Sequence, residues 1–234
     1  VKPHYQIAIA ECGEPLVPIP SEQFSLVIPH AYQALGAPYG DQSPFYVRQG
    51  VLERLRLAQT YLQQDYPNWQ IQIADAYRPI AVQQFMVDYT AQELAQAQGY
   101  LLDNLTLEQR QAILAQVYEF WAPPSSNPAT PPPHSTGGAI DVTLVDQAGV
   151  AIAMGSQIDE ISPRSYPDHF ARCLDPQGQQ YHQHRQVLRQ VMLTAGFQQH
   201  QNEWWHFCYG DQMWAWLSNA SHADKTTIAR YGSV

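Results

Sequence analysis

A chain of 234 residues, 45% hydrophobic and with six tryptophans, holds enough apolar material for one substantial core, which excludes a disordered polymer. A formal net charge of −9 excludes a broad cationic footprint for nucleic acid or an anionic membrane surface, while leaving room for a small basic pocket. No apolar run approaches the roughly 18–20 residues that cross a bilayer. Three cysteines, Cys12, Cys173 and Cys208, lack CxxC spacing and leave an odd thiol after any pairing, which points to a reducing, cytoplasmic compartment. The first residue is Val1 rather than methionine, so a removed leader and a periplasmic location remain the alternative.

In chain order, "HYQIAIAEC" (4–12) alternates as a strand does, and "IPSEQFSLVIP" (19–29) reads as a proline-bounded loop. Val51, Leu52, Leu55, Ala58 and Leu62 then recur at helical spacing, and Pro67 stops that helix. The run "WQIQIADAYRP" (69–79) predicts a strand with Ile71, Ile73 and Asp75 on one face. Pro79 opens a helix that buries Val82, Phe85 and Met86. Another helix fits "TLEQRQAILAQVYEFW" (106–121), where Thr106 and Gln109 have capping-box spacing. The run "APPSSNPATPPP" (122–133) is a loop whose composition suits a surface connection or a domain linker. "GGAIDVTLV" and "GVAIAMG" read as strands joined by a turn at Asp146 to Gly149. A helix over "YHQHRQVLRQVMLTAGF" ends at Gly196, and "FQQHQNEWWHFCYG" is aromatic and strand-like. Strands and helices mix without a βαβ rhythm, which predicts an α+β fold. No composition shift divides residues 1–234, which read as one domain.

Two stretches carry chemistry. In "PPPHSTGGAIDVTL" (131–144), a strand from Ala139 points Ala139, Asp141 and Thr143 one way and Ile140, Val142 and Leu144 towards a core. A carboxylate on a partly enclosed face is costly unless it is paired or metal-bound. Gly137 and Gly138 allow positive φ, so His134 can fold back towards Asp141. In "NEWWHF" (202–207), Glu203 and His206 lie three apart and would face opposite ways in a regular strand, so a bulge or bend is needed to bring them together. A plainer view makes His134 a loop residue and the tryptophans core. Taken together, His134, Asp141 and His206 form a three-ligand set suited to Zn²⁺ with a fourth position for water, and Glu203 is placed to carry a proton.

The run from His134 to Asp141 resembles the H-x-x-G-x-A-x-D signature of the D-alanyl-D-alanine dipeptidases, and "EWWH" (203–206) resembles their E-x-x-H element. "DAYRP" (75–79) and "MGSQID" (154–159) resemble two further blocks of that family, in the family's order. The resemblance implies a Hedgehog/DD-peptidase-like α+β domain whose mixed or antiparallel sheet carries the metal site between flanking helices. It implies one Zn²⁺ per chain on His134, Asp141 and His206, with Glu203 as general base. Arg78 would stabilise the oxyanion, and Asp159 would pair with the ammonium of a small D,D-dipeptide; neither nucleic acid nor membrane is a partner. The alternative roles are an ion pair with Asp75 for Arg78 and an ordinary acidic loop position for Asp159. Pro132 stands where the family usually has serine, so Ser135 or Thr136 would have to supply the hydroxyl towards substrate. The competing functions are a stem-peptide D,D- or L,D-carboxypeptidase, a non-haem Fe(II) oxygenase, and a non-catalytic wall-peptide-binding module.

Overall fold

The computed structural model describes residues 2–101, 104–221 and 226–234. Its centre is a five-stranded sheet made from β2 (Ser25–Leu26), β4 (Gln70–Asp75), β5 (Ala139–Val145), β6 (Gln198–Gln199) and β7 (His206–Cys208). The order is β2-β4-β5-β7-β6, with β2 parallel to β4 and every other pair antiparallel. A separate pair joins β1 (Leu16–Pro18) to β3 (Tyr46–Arg48). The short α1 (Ala31–Ala34) precedes α2 (Gln49–Asp65), and α3 (Ile80–Ala97) precedes α4 (Leu107–Phe120). The long α5 (Pro176–Thr194) and α6 (Gln212–Ser221) follow β5 and β7 respectively. This is an α+β architecture with a mixed sheet.

One face of the sheet makes the main core. Ile71 and Ile73 of β4, Ile140, Val142 and Leu144 of β5, and Phe207 of β7 bury against Val51, Leu55 and Leu62 of α2 and Leu188 and Met192 of α5. A second cluster lies between α3 and α4, where Val82, Met86, Ile113 and Val117 meet Tyr32 and Trp121. Phe85 is only half-buried against it. The capping box forms as its spacing requires: Thr106 Oγ1 accepts from the Gln109 amide at 3.2 Å, and the Gln109 side chain accepts from the Thr106 amide at 2.9 Å. Gly196, at φ +96°, closes α5.

The 19–29 run, expected as a loop, contributes β2 to the sheet edge, and four further expectations change. The first is "HYQIAIAEC": Pro3 presets a helical φ, so Pro3–Gln6 forms a 3₁₀ turn, and the following extended run makes one bridge, Ile9 to Ala229. The second is the return strand "GVAIAMG", which pairs only through a bridge between Val145 and Ala151. The third is "FQQHQNEWWHFCYG", which splits into β6 and β7 around a bend. The fourth bears on function. Ile73 pairs with Val142 but Asp75 pairs with Asp141, so a bulge at Ala74 intervenes. Directly opposed residues share a face, and the bulge therefore turns Asp75 away from the Ile71–Ile73 side towards Asp141.

No helix among the described residues is long and apolar enough to cross a membrane. Cys12, Cys173 and Cys208 are free thiols.

Because Ile73 is fully buried on the face that the bulge separates from Asp75, Ile73→Ala should lower unfolding free energy by about 2–5 kcal/mol. Thr106→Ala, which removes only a surface cap, should cost about 1 kcal/mol in the same urea titrations.

Candidate active site

The last prolines of the 122–133 loop are buried, and Pro133 opens a 3₁₀ turn, Pro133–Thr136, that carries His134 inward. Gly137 ends this turn at φ +71°, where a Cβ would lie 2.4 Å from Leu16 Cδ2. Gly138 is required for a different reason: its added Cβ would sit 2.8 Å from the Tyr209 carbonyl oxygen. The chain then enters β5. Register places Asp141 opposite His206 on one side and opposite Asp75 on the other.

His134 Nδ1 donates to the Ala76 carbonyl at 2.7 Å, which fixes the tautomer and leaves the Nε2 lone pair facing the sheet. That Nε2 lies 3.2 Å from His206 Nδ1 and 3.3 Å from Asp141 Oδ2, and His206 Nδ1 lies 3.0 Å from Asp141 Oδ1. One donor atom from each of these three buried residues falls within 4.8 Å of the others. Burial lowers the pKa of His206, so its ring is neutral. Burial opposes ionisation of Asp141, but the two imidazoles hold its pKa well below the usual carboxylate range. Two imidazoles and a carboxylate that converge in the interior fit a divalent metal, and their chemistry suits zinc.

Glu203 is 5% exposed and precedes the first paired residue of β7, so the bend that its spacing demanded is present. Its Oε2 is 3.6 Å from His206 Nδ1, and its Oε1 is 3.8 Å from His200 Nδ1. Burial, then the charges of Asp141 and Asp159, pushes its pKa well above the ordinary glutamate value, while Lys2 and Arg78 act in the opposite direction.

Arg78 is buried and held from three sides. Its Nε and Nη2 donate to Asp75 Oδ2 at 3.0 and 2.6 Å, Nη1 donates to Gln83 Oε1 at 2.8 Å, and Nη2 reaches the Tyr32 hydroxyl at 3.3 Å. Of five N–H groups, one on Nη1 stays uncommitted among the described residues. The guanidinium carbon lies 4.9 Å from the Trp121 ring centre and 5.0 Å from that of Tyr32. The ion pair with Asp75 and a place beside Asp141, 3.6 Å away, therefore coexist. Asp159 accepts from the Tyr32 hydroxyl at 2.6 Å and adopts φ +63°, an unusual conformation for a non-glycine residue. Burial and the charge of Asp141 raise its pKa to about 6.

His134, Asp141, His206, Glu203, Arg78 and Asp159 line one cavity. Ser135 does not. Its hydroxyl donates to the Arg78 carbonyl at 2.7 Å and is withdrawn from the space where a substrate would lie. The sequence reading missed Tyr32, His30 and His200. Asp75 Oδ1 accepts from His30 Nε2 at 3.0 Å, while His200 lines the cavity. For His200 a signal existed, since His200, Glu203 and His206 recur at intervals of three; the short segment carrying His30 and Tyr32 offers no comparable pattern.

The Peptidase_M15 family, D-ala-D-ala dipeptidase, matches residues 27–227. A D-alanyl-D-alanine dipeptidase of Synechocystis sp. (strain ATCC 27184 / PCC 6803 / Kazusa) is 47% identical over 241 residues, covering 100% of this chain and 97% of the relative. A D-alanyl-D-alanine dipeptidase of Enterococcus faecalis (strain ATCC 700802 / V583) is 39% identical over 75 residues, covering 32% of this chain and 35% of the relative. Among solved structures, the vancomycin resistance D,D-pentapeptidase VanY in complex with Zn(II) aligns with a TM-score of 0.45 at 16% identity, over 88% of this chain and 89% of that one. The chain is a peptidase. It belongs to the D-alanyl-D-alanine dipeptidase family.

Asp75 offers a pH test of the site's framework. Burial opposes its charge, but Arg78 and His30 hold its pKa below the ordinary 3.8. Its contribution to stability is therefore present above about pH 4 and lost as pH falls through the lower folded value. Asp75→Asn strips the partner from a buried guanidinium and should cost about 3–5 kcal/mol at pH 7. In denaturant titrations, the gap from wild type should begin to close only below about pH 4.

Proposed function

We propose that the protein hydrolyses D-alanyl-D-alanine, or a closely similar D,D-dipeptide, to free D-amino acids, acting as a single domain with one zinc ion. The observation that carries this reading is the shared cavity: three converging metal donors, a buried carboxyl at Glu203, a fixed guanidinium at Arg78 and a carboxyl at Asp159. His134 Nε2, His206 Nδ1 and the Asp141 carboxylate would hold the ion. Zinc supplies Lewis acidity, polarising oxygen and lowering the pKa of water towards about 7.

The remaining work falls to side chains. Glu203 accepts a proton at its carboxylate and returns it to the leaving amine, a task suited to a buried carboxyl whose pKa stands above the ordinary glutamate value. Arg78 offers its uncommitted Nη1 proton to the carbonyl oxygen as charge develops there. Its ties to Asp75 and Gln83 mean that little reorganisation is needed. Asp159 pairs with the substrate ammonium, and Tyr32 orients it. A longer peptide would have to replace that ammonium with an amide and pass the contact between buried Tyr32 and half-buried Asp159. This disfavours the stem-peptide carboxypeptidase.

Release of D-alanine from D-Ala-D-Ala tests the reading. It should stop with chelator and return with added zinc. Glu203→Gln should lower kcat by about 10²–10⁴-fold at unchanged zinc content; near-normal turnover in this variant would refute the assigned base.

Asp159 predicts an acid limb. Protonation below its pKa of about 6 neutralises the group that meets the ammonium, so kcat/KM for the free dipeptide should fall as pH drops through that value. Asp159→Asn should remove the part of this limb that Asp159 sets, leaving the part set by Glu203, and it should narrow the preference for the free dipeptide over its N-acetyl form.

A further inference from the structure

The cavity has two chemically different ends. Asp159 lines it where it meets the hollows bordered by Ala31 and Tyr32. Lys2, His4, His200 and Met213 line it where it meets a surface groove beside α6. Because different neighbours flank each end, Asp159 and the Lys2–His4 pair lie towards different mouths. Glu203 lines the same cavity and approaches His200 to 3.8 Å, so it lies towards the second end. The Lys2 ammonium and the Glu203 carboxylate also interact electrostatically.

Of the cavity-lining residues, Arg78 and Lys2 carry a fixed positive charge. Arg78 is already matched by Asp75 at 2.6 Å. Lys2 is half-buried, and its side chain has no ion pair among the described residues. His4 is 5% exposed and its Nε2 is buried without a partner among the described residues. Burial, and then the Lys2 charge, pushes the pKa of His4 down to about 4, so its ring is neutral and carries one N–H to donate. The 3₁₀ turn Pro3–Gln6 rests on α6, which fixes this end of the chain against the cavity.

A free dipeptide is a zwitterion. With its ammonium at Asp159 and its leaving nitrogen beside Glu203, its carboxylate lies one carbon beyond that nitrogen and extends towards the second mouth. Three buried carboxyl groups, Asp75, Asp141 and Glu203, and the half-buried Asp159 already crowd the site, so a fifth requires its own cation. We propose that Lys2, assisted by His4 Nε2, binds the C-terminal carboxylate of the dipeptide and makes that end of the substrate a specificity determinant. The proposal rests on the dipeptidase reading above, and it gives the N-terminal segment a part in substrate selection.

Binding without turnover tests it, using the zinc-loaded Glu203→Gln protein, D-Ala-D-Ala and its C-terminal amide in calorimetric titrations. The background should prefer the acid by about tenfold or more. Adding Lys2→Met should reduce that preference to about twofold, while Lys2→Arg should keep most of it. His4→Phe should weaken the acid more than the amide. A preference that survives Lys2→Met, or a background with no preference, overturns the proposal. D-alanine release by the wild-type protein separates the two readings. Turnover without an acid preference rejects the Lys2 assignment alone; the acid preference without turnover rejects the hydrolase reading and leaves the carboxylate site standing.

Discussion

A guanidinium removed from water costs several kcal/mol unless opposite charge and hydrogen-bond acceptors surround it. Arg78, 4% exposed, meets that demand through Asp75, Gln83 and Tyr32, each supplied by a different segment. Asp75 comes from β4, Gln83 from the first turns of α3, and Tyr32 from α1. Ser135, on the turn that carries His134, holds the Arg78 carbonyl, and Asp75 in turn accepts from His30 and Tyr39. The orientation of α1, α3 and the His134 turn therefore depends on one buried ion pair. The ion pair itself depends on the bulge that turns Asp75 to the side of Asp141.

Four carboxyl groups share this interior and their pKa values separate in opposite directions. All four pay the same kind of desolvation penalty, so burial alone does not sort them. Asp75 has Arg78 within ion-pairing distance and His30 as a donor, and Asp141 has two imidazoles; both stay ionised. Asp159 has one phenol as a direct partner and rises to about 6. Among the described residues Glu203 has no cationic or hydrogen-bonding group closer than the imidazole nitrogens at 3.6 and 3.8 Å, and its pKa stands well above the ordinary glutamate value. The cavity therefore provides carboxylates for charge pairing and a carboxyl for proton transfer from the same residue chemistry. Hydrogen-bond donors make the difference.

What was legible in the sequence follows from the range of the forces involved. The helices α2, α4 and α5 were readable because their apolar spacing and their start or stop signals, Pro67 after α2, the capping box of α4 and Gly196 after α5, are local. The two faces of β5 were readable for the same reason, and with them the position of Asp141. The bulge at Ala74 was not: nothing in "QIQIAD" marks the break, which arises from pairing with β5. His30 and Tyr32 were equally hidden, since their importance lies in contacts made 45 and 127 positions away. The N-terminal run misled because its alternation suits a strand, whereas Pro3 and packing against α6 select a turn.

The paired tryptophans show that a packing role and a functional one need not compete. Trp204 and Trp205 are 2% and 1% exposed, as the plainest view of "NEWWHF" requires. The Trp204 amide donates to the Ser165 carbonyl and its indole to Ser156, while the Trp205 carbonyl accepts from Val142 of β5. These contacts pin both sides of the bend, so the chain cannot relax into a regular strand that would send Glu203 and His206 to opposite faces. A bend between a proton-carrying carboxyl and a metal-donor histidine would be of little use if it were free to open. Burying two large aromatic side chains at the bend makes its geometry part of the core, and the separation of Glu203 and His206 inherits the stiffness of that core.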